Sequence, residues 1–426
     1  MKADRFIFAL SILSGLIYLG LYLNVTTPIL LLIVISFIVS LLYVLLCVVL
    51  RRHGDRLPDR AYLVIIGIGV LIRLAVMPVA PIASGDVYRY IWDGKVIAHG
   101  FNPYRYAPAD SVLKPLHSPN LPEKDITTMT TIYPPLAEWI FAASYAIFGE
   151  SPNGIKIFSF IAECVSLILL VQILKALQKP PALVALYALC PLPVLQFMVD
   201  AHFDGLAFPF LLSGILLWLK RKELSSFVVL SLGILIKFLP ALFIPLLLRE
   251  QTKARKISLI AIPAAIAVAA YLPYIIGGGS PFSSLAVYSE QWYFNGVFFD
   301  GILALGFSNE ISHLIVSVLF IASFAFILFS KKPLLEKLYL TLICFFLFSA
   351  VVHPWYVTWI AILLPICFRW SGVAYVTLIN IANIVIINWK SYHFWYQSSG
   401  HLLLEYLPII AIFLYELLRP KSSFTT

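Results

Sequence analysis

Stretches of about twenty apolar residues recur along the whole chain, and they restrict its fold more than any other feature. A bilayer's hydrocarbon core is about 30 Å thick and a helix rises about 1.5 Å per residue, so about 20 apolar residues span it. Backbone groups find no water there and must bond within the segment, which favours helices. Candidate spans lie near 6–24, 27–50, 61–80, 155–174, 181–199, 205–219, 257–276, 311–330, 335–352, 355–368, 371–389 and 401–418. With 61% hydrophobic and 12% charged residues, the sequence predicts an all-α polytopic membrane protein. We expect a single domain over 1–426 with about 12–14 transmembrane helices.

Basic residues cluster between the candidate spans, and their positions predict the orientation of the chain. Lys and Arg are enriched in cytoplasmic loops, and the clusters lie near 51–60, 175–179, 220–222, 249–256, 331–332, 369 and 419–421. All of them face the cytoplasm only if segment 225–248 crosses an even number of times, so we expect a broken helical hairpin there, interrupted by Lys237 and Pro240. The long polar segment 81–154 then lies outside the cytoplasm. Because the inner loops explain the net charge of +9, nucleic acid is not an expected partner.

The N-terminus and the cysteines add two smaller expectations. The residues MKADRF precede an apolar stretch without a small-residue cleavage site, which predicts an uncleaved first helix. The five cysteines all fall within apolar segments and lack metal-ligand spacing, so we interpret them as small buried hydrophobic residues.

The outer segment begins with SGDVYRYIWDGKVIAHGFNPYRYAP, which has the pattern of an amphipathic helix. Ser84 is placed to cap this helix and Gly100 to end it. A packing stripe of Val87, Ile91, Gly94 and Ala98 lies opposite a solvated face of Asp86, Arg89, Tyr90 and Asp93. Asp86 and Asp93 are about 10 Å apart on an ideal helix, which favours one catalytic carboxylate with a supporting one. A structural interpretation stays open, since the helix dipole stabilises Asp86 and Asp93 can pair with Arg89.

Further polar residues gather in segments expected on the same outer face. They are Tyr133 in TIYPPLAEWIFAASYAIFG, His202 and Asp204 in VDAHFDGLAF, and His353, Trp355 and Tyr356 in HPWYVTWIAILLP. The helix after Tyr133 is interpreted as interfacial, because a full span there would break the charge rule. Lys237 interrupts an apolar segment, where a charge must pair or reach the interface. Structural interpretations stay open here too: a helix cap for His202 and Asp204, an interfacial lysine for Lys237, an aromatic belt for Trp355 and Tyr356, and loop shaping for Tyr133.

Together with IYPPL, the run GDVYRYIWDGKVIAHGFNPY resembles the first outer loop of GT-C membrane glycosyltransferases. It is most similar to the polyprenyl-phosphate-mannose-dependent mannosyltransferases of bacteria and of the GPI pathway. Those enzymes carry an Asp, a second Asp, a Gly-x-x-Pro-Tyr-like turn and a Tyr-Pro-Pro-Leu-like segment. VDAHFDGLAF and HPWYVTWIAILLP resemble their later motifs. The resemblance implies a GT-C-like helical bundle in a bacterial plasma membrane, with its active site on the extracytoplasmic side. It also implies a polyprenyl-phosphate sugar donor, with mannose favoured, and a glycan or glycolipid acceptor.

The resemblance further implies roles for individual residues. An Asp at the start of the first outer loop acts as general base in such enzymes, and here that position is Asp86. A positioned carboxylate that takes the hydroxyl proton contributes about 10²–10⁴-fold, and a single displacement inverts the anomeric centre. The departing phosphate needs cationic donors, for which Arg89, Lys237 and His353 are candidates. The expected substrate-binding residues are Arg89, Tyr90, Asp93, Tyr133, His202, Asp204, Lys237, His353, Trp355 and Tyr356.

Three alternatives remain open at this point. No cofactor is predicted, although a divalent metal would be the alternative if Asp86, Asp93, His202 and Asp204 converged; no local ligand spacing supports it. A transporter or flippase would show midplane charges, discontinuous helices and inverted repeats. Lys237 with Pro240 is one such sign, but no segment in the other half matches it. An O-antigen ligase or polymerase type of enzyme usually has its large polar loop late in the chain, whereas here the loop comes early.

Overall fold

The structure is a computed structural model that describes residues 3–23, 28–53, 57–58, 60–122, 126–392 and 397–419. Within these ranges the regular secondary structure is helical, and extended pairing is limited to isolated bridges of Phe294 and Asn295 with Val351. The predicted all-α class is therefore confirmed.

The α-helices, numbered in chain order, differ widely in length. The first ten are α1 (Ala3–Tyr18), α2 (Pro28–His53), α3 (Ala61–Val76), α4 (Asp86–Ala98), α5 (Pro135–Phe148), α6 (Pro152–Ala176), α7 (Ala185–Ala188), α8 (Pro191–Pro193), α9 (Phe208–Leu219) and α10 (Glu223–Ile234). They are followed by α11 (Ile244–Leu248), α12 (Lys253–Ile276), α13 (Ser283–Gln291), α14 (Val297–Ala304), α15 (Asn309–Phe329), α16 (Leu334–Leu347), α17 (Pro354–Ala361), α18 (Trp370–Leu378), α19 (Ile384–Tyr392) and α20 (Ser399–Leu418). Short 3-10 helices cover Leu19–Tyr22, Ser111–Leu116, Pro181–Val184, Asp204–Ala207, Leu239–Phe243 and Ile379–Asn383, and a π-helix covers Val194–Val199.

Seven helices in the described part of the chain are long and apolar enough to cross a membrane, or up to eight if the bent pair Pro181–Ala188 and Pro191–Val199 is one span. The seven are Arg5–Tyr22, α2, α6, α12, α15, Trp370–Trp389 and α20. In place of the spans expected near 335–352 and 355–368, α16 and α17 have 14 and 8 residues. The polytopic membrane class is confirmed, whereas the number of 12–14 spans stays a prediction.

Segment 225–248 contains the break that the charge pattern predicts. Helix α10 ends at Ile234, and the next helical turn begins at Leu239 with Pro240 in its first turn. Lys237 lies in the irregular stretch between them. A proline cannot donate a backbone hydrogen bond, so the helix does not continue through this point.

The chain forms two compact units by its internal contacts. The first comprises Met1–Ile72, Pro180–Pro193 and Tyr293–Thr426, and the second comprises Arg73–Lys179 and Val194–Trp292. In the first, α18 packs on α20 and the Tyr43 hydroxyl donates to the Leu186 carbonyl at 2.6 Å. In the second, α4 packs on α5, α9 on α6, and α10 on both α9 and α12. The candidate site residues from Asp86 to Lys237 all belong to the second unit.

Helix α6 holds the end of α3 and the residues before the polar segment 81–154 by buried charges. Nε and Nη2 of Arg73 both donate to Oε2 of Glu163, at 3.0 and 2.8 Å, and both side chains are fully buried. The ammonium group of Lys156 donates to the carbonyl oxygens of Val79, at 2.5 Å, and Met77, at 3.1 Å. A buried charge is costly unless it is paired and hydrogen-bonded. These contacts therefore fix where the chain leaves α3 and enters the polar segment 81–154.

Candidate functional site

Helix α4 brings Asp86 into its first turn. The helix begins at Asp86 with Gly85 as its cap, one residue later than the predicted cap Ser84, whose hydroxyl accepts from the Asp86 amide at 3.2 Å. At the other end it stops at Ala98, and Gly100 follows with a φ of +79°. Asp86 is half-buried. A negative charge is favoured at this position, because the helix N-terminus carries a partial positive charge.

The face of α4 that was expected to be solvated is buried instead. Arg89 donates through Nε to both carboxylate oxygens of Asp93, at 2.9 and 2.8 Å, and through Nη1 to the carbonyl of Ile126 at 3.1 Å. The two side chains are only 7% and 3% exposed. The sequence pattern could not show that α5 and the loop after Ile126 cover this face. Arg89 is thus committed to Asp93, which removes it from the set of cations free to meet a phosphate.

A second buried acid, Glu138 in α5, lies against this pair and was not recognised from the sequence. Its Oε1 accepts from the Thr131 hydroxyl at 2.5 Å, and its Oε2 has no hydrogen-bond partner among the described residues. Burial raises the pKa of Glu138 well above its usual range, and the nearby charge of Asp93 raises it further. The only sequence signal for Glu138 was its position directly after the prolines of IYPPLAEW.

An aromatic cluster surrounds the second turn of α4. Tyr90 stacks on Phe141 with ring centroids 5.0 Å apart, and its edge contacts with Tyr133 and Phe203 have centroid distances of 5.4 and 5.0 Å. The Tyr90 hydroxyl lies 3.2 Å from Nδ1 of His202. Burial raises the pKa of Tyr133 well above its usual range, and the charge of Asp86 raises it further. The cluster therefore joins three predicted residues, Tyr90, Tyr133 and His202, beside the candidate base.

The segment that follows the π-helix contributes a second set of buried polar groups. His202 and Asp204 are both fully buried. Asp204 starts a 3-10 helix whose N-cap residue is Phe203, and Phe203 makes no side-chain cap bond. Oδ2 of Asp204 accepts from the Lys237 ammonium at 3.2 Å. Asp204 is therefore paired with Lys237, and the helix-cap interpretation of His202 and Asp204 stays a prediction.

Lys237 lies where this segment meets the break after α10. Its ammonium group is 4.8 Å from the centre of the Phe203 ring, in addition to its contact with Asp204. The side chain is 21% exposed, in contrast to the fully buried Asp204. A lysine that is paired, lies over an aromatic face and remains partly exposed can still approach an anion.

The remaining predicted residues form a separate cluster in the first unit. The His353 ring stacks on Trp355, with centroids 4.2 Å apart, and on Phe294 at 4.7 Å. Tyr356 meets His353 edge-on at 5.5 Å. His353 is the residue before α17 and makes no side-chain cap bond. Stacked, half-buried rings of this kind can hold a sugar face or lie at the headgroup level.

The structure thus brings most of the predicted residues of the second unit together. It joins Arg89 with Asp93, Tyr90 with Tyr133 and His202, and Asp204 with Lys237. No group of three or more His, Cys, Asp or Glu side chains that could hold a metal ion is found among the described residues. The half-buried carboxylate of Asp86 and the partly exposed ammonium group of Lys237 both belong to this unit.

Comparisons with known proteins agree on one family. The family model described as "Alpha-(1->6)-mannopyranosyltransferase, N-terminal domain" matches residues 12–250, a range that includes every residue from Asp86 to Lys237. Alpha-(1->6)-mannopyranosyltransferase A of Corynebacterium glutamicum is 25% identical over 175 residues. This alignment covers 39% of the present chain and 34% of the relative, so the chain spans only part of that protein's length.

Proposed function

Because the chain belongs to the alpha-(1->6)-mannopyranosyltransferase family, we propose that it transfers a mannosyl group from a polyprenyl-phosphate donor to a glycan or lipid acceptor. The observation that carries this proposal is the placement of a half-buried carboxylate, Asp86, beside the aromatic cluster in the same unit as a partly exposed Lys237. A proton acceptor and a cation are the two groups that such a transfer requires. The predicted orientation of the loops puts the reaction on the extracytoplasmic side.

Asp86 would serve as the general base. Its carboxylate takes the proton of the acceptor hydroxyl while that oxygen attacks the anomeric carbon of the donor. The bond from this carbon to the phosphate oxygen breaks on the opposite side, so the configuration inverts. A β-linked lipid phosphate then gives an α-glycoside. The half-buried site supports this role, since a helix N-terminus favours a negative charge and the side chain is partly exposed.

Lys237 would stabilise the departing polyprenyl phosphate. The phosphate gains negative charge as the glycosidic bond breaks, and a charge-assisted hydrogen bond to an ammonium stabilises that charge. Among the three candidate cations, Arg89 is occupied by Asp93 and nearly buried, whereas Lys237 is accessible. The contact of Lys237 with Asp204 would hold the ammonium group in position before the donor binds. The apolar polyprenyl chain of the donor would remain in the bilayer beside the helices. A membrane-embedded enzyme can therefore reach the phosphate without extracting this chain from the lipid.

The first experiment measures transfer of radiolabelled sugar by the purified protein in lipid nanodiscs. Polyprenyl-phosphate mannose, glucose and arabinose are supplied separately with a mixed pool of lipid glycans. We expect transfer from the mannose donor, and a loss of about 10²–10⁴-fold in Asp86→Asn, which keeps the shape but cannot accept the proton. Asp110→Asn is the matched control, because it makes the same change at an exposed acid of the same outer segment.

Either part of the proposal can fail separately. Transfer that survives in Asp86→Asn would keep the activity and remove Asp86 as the base. Transfer only from the glucose or arabinose donor would change the sugar. Absence of transfer from every donor, together with movement of labelled lipid between leaflets, would contradict the transferase and favour a flippase.

A further inference from the structure

Residues 194–204 have an unusual backbone. Val194–Val199 is a π-helix, and the amide of Asp200 donates to the carbonyl of Leu195, five residues earlier, at 3.0 Å. Ala201 then adopts a φ of +60°, a conformation that is uncommon for a residue with a side chain. Both features are rare and are often found at functional sites. The segment thus holds its polar side chains in places that a regular helix would not.

Asp200, in this segment, binds the chain that leads into α4. Its Oδ1 accepts from the backbone amides of Ile82 and Ala83, both at 2.8 Å. The Asp200 side chain is fully buried, and the residues from 80 to 85 have no regular secondary structure. Two charge-assisted bonds to adjacent amides are strong and fix a loop in both direction and position.

The same short segment also contacts α4 beyond its first turn. His202, two residues after Asp200, lies 3.2 Å from the Tyr90 hydroxyl. Asp86 therefore sits between two anchors from one segment: the amides three and four residues before it, and the tyrosine four residues after it. Loss of the first anchor would free the loop end of α4, where Asp86 is located, while the second still holds the helix.

We propose that Asp200 is a positioning residue for the transfer reaction, holding the loop of Ile82 and Ala83 so that Asp86 points at the acceptor hydroxyl. This inference rests on the proposed role of Asp86 as base. Asp200 touches no substrate and acts only through Asp86. Misplacement of a reacting group by about 1 Å can reduce a rate by about 10²-fold, so the anchor has a measurable effect on turnover.

The test compares full-length wild type with Asp200→Ala and Asp200→Asn in nanodiscs, using polyprenyl-phosphate mannose. We expect Asp200→Ala to lower kcat by about 10²-fold while the donor KM changes little. Asp200→Asn keeps an oxygen that can accept from both amides, so it should recover most of the activity. Asp110→Ala is the matched control: its carboxylate also accepts a backbone amide, that of Ala107 at 2.7 Å, but away from α4.

A double variant decides whether Asp200 acts through Asp86. In an Asp86→Asn background there is no base left to position, so adding Asp200→Ala should cost no further activity. Equal losses in both backgrounds would overturn the proposal, as would an unchanged kcat in Asp200→Ala. If Asp200→Ala fails to fold, Asp200→Leu takes its place in the same cycle, because leucine fills the volume of the side chain without offering an acceptor to the two amides.

Amide hydrogen exchange tests the anchor without any activity. The peptide covering residues 80–90 should exchange faster in Asp200→Ala than in wild type, and no faster in Asp110→Ala. Unchanged exchange in Asp200→Ala would refute the anchor. If wild type shows no transfer, the proposed function fails, and the exchange result still decides whether Asp200 holds this loop.

Discussion

At the scale of single residues, the polar segment 81–154 places two acids in opposite surroundings. Asp86 is half-buried at a helix start, where the carboxylate is favoured. Glu138 is fully buried beside Asp93, with Thr131 as its hydrogen-bond partner. Burial and the nearby charge of Asp93 raise the pKa of Glu138. Exposure therefore distinguishes the two acids, since only Asp86 of this pair is partly open to solvent.

The raised pKa of Glu138 predicts a loss of stability at higher pH. In the folded protein Glu138 holds its proton to a higher pH than in the unfolded chain, where it ionises at about pH 4.3. Above that pH the folded state binds more protons, so stability falls as pH rises toward the folded pKa, by at most about 1.4 kcal/mol per pH unit. Glu138→Gln, which cannot ionise, should lose less thermal stability than wild type between about pH 6 and 8. Thermal unfolding in detergent at each pH measures this.

Glu150→Gln supplies the control for that experiment. Lys95, Ser118 and Asn120 bind the Glu150 carboxylate, and their hydrogen bonds lower the pKa of Glu150 despite partial burial. Folded and unfolded forms are both ionised across this pH range, so its effect should be independent of pH. A pH slope in Glu138→Gln equal to that of wild type would contradict a protonated Glu138.

At the scale of elements, the contact between α4 and α5 sets the position of Asp86. A Cβ on Gly94 would overlap the carbonyl oxygen of Phe141, so the two helices approach as closely as a glycine allows. Gly94→Ala should therefore lower stability by at least about 1–3 kcal/mol, because a backbone oxygen cannot move aside like a side chain. It should also lower transfer activity, since α4 carries Asp86. The shift in the unfolding midpoint and the transfer rate are the two measurements.

Gly67 in α3 offers a control of the opposite sign. A Cβ there meets no atom within 4 Å. Alanine is favoured over glycine in a helix by about 1 kcal/mol, so Gly67→Ala should keep or raise the unfolding midpoint. If both alanines had the same effect, the close contact at Gly94 would not be the cause.

Sequence periodicity predicted α4, its end before Gly100 and the packing of Val87 and Ile91, because local patterns decide these features. It could not predict that Arg89 and Asp93 are buried, since the covering residues come from a helix and a loop more than thirty positions later. The role of Asp200 was missed for the same reason. Its polar neighbours in VDAHFDG marked the region, but its contacts with Ile82 and Ala83 cross 118 and 117 positions.

At the scale of the whole molecule, hydropathy predicted the membrane class but not the number of crossings. Segments such as α16, α17 and the pair around Pro191 are apolar but short or interrupted, and composition alone does not distinguish a short span from a helix inside the bundle. The break at Lys237 was predictable because a charge and a proline occur together.

The orientation of the loops is open to direct measurement. In a cysteine-free background, Asp110→Cys and Lys222→Cys place one thiol on the outer segment and one on a basic loop; both positions are exposed. A membrane-impermeant maleimide should label Asp110→Cys in intact cells, and Lys222→Cys only after permeabilisation.

The cysteine-free parent reports background labelling in the same experiment. Labelling of Lys222→Cys in intact cells, with Asp110→Cys protected, would reverse the predicted topology. It would also place Asp86 and the transfer reaction on the cytoplasmic side.

The π-helix before Asp200 works as a phase shift in the chain. It holds one residue more per turn than an α-helix does, because its hydrogen bonds join residues five positions apart instead of four. A one-residue deletion within Val194–Val199 would therefore let the turn close as an α-helix and leave Asp200, His202 and Asp204 facing the same way. A one-residue deletion after the π-helix has no wide turn to absorb it, so it would move His202 and Asp204 away from Tyr90 and Lys237. Deletion of Ala201 should be more damaging than deletion of one residue from Val194–Val199.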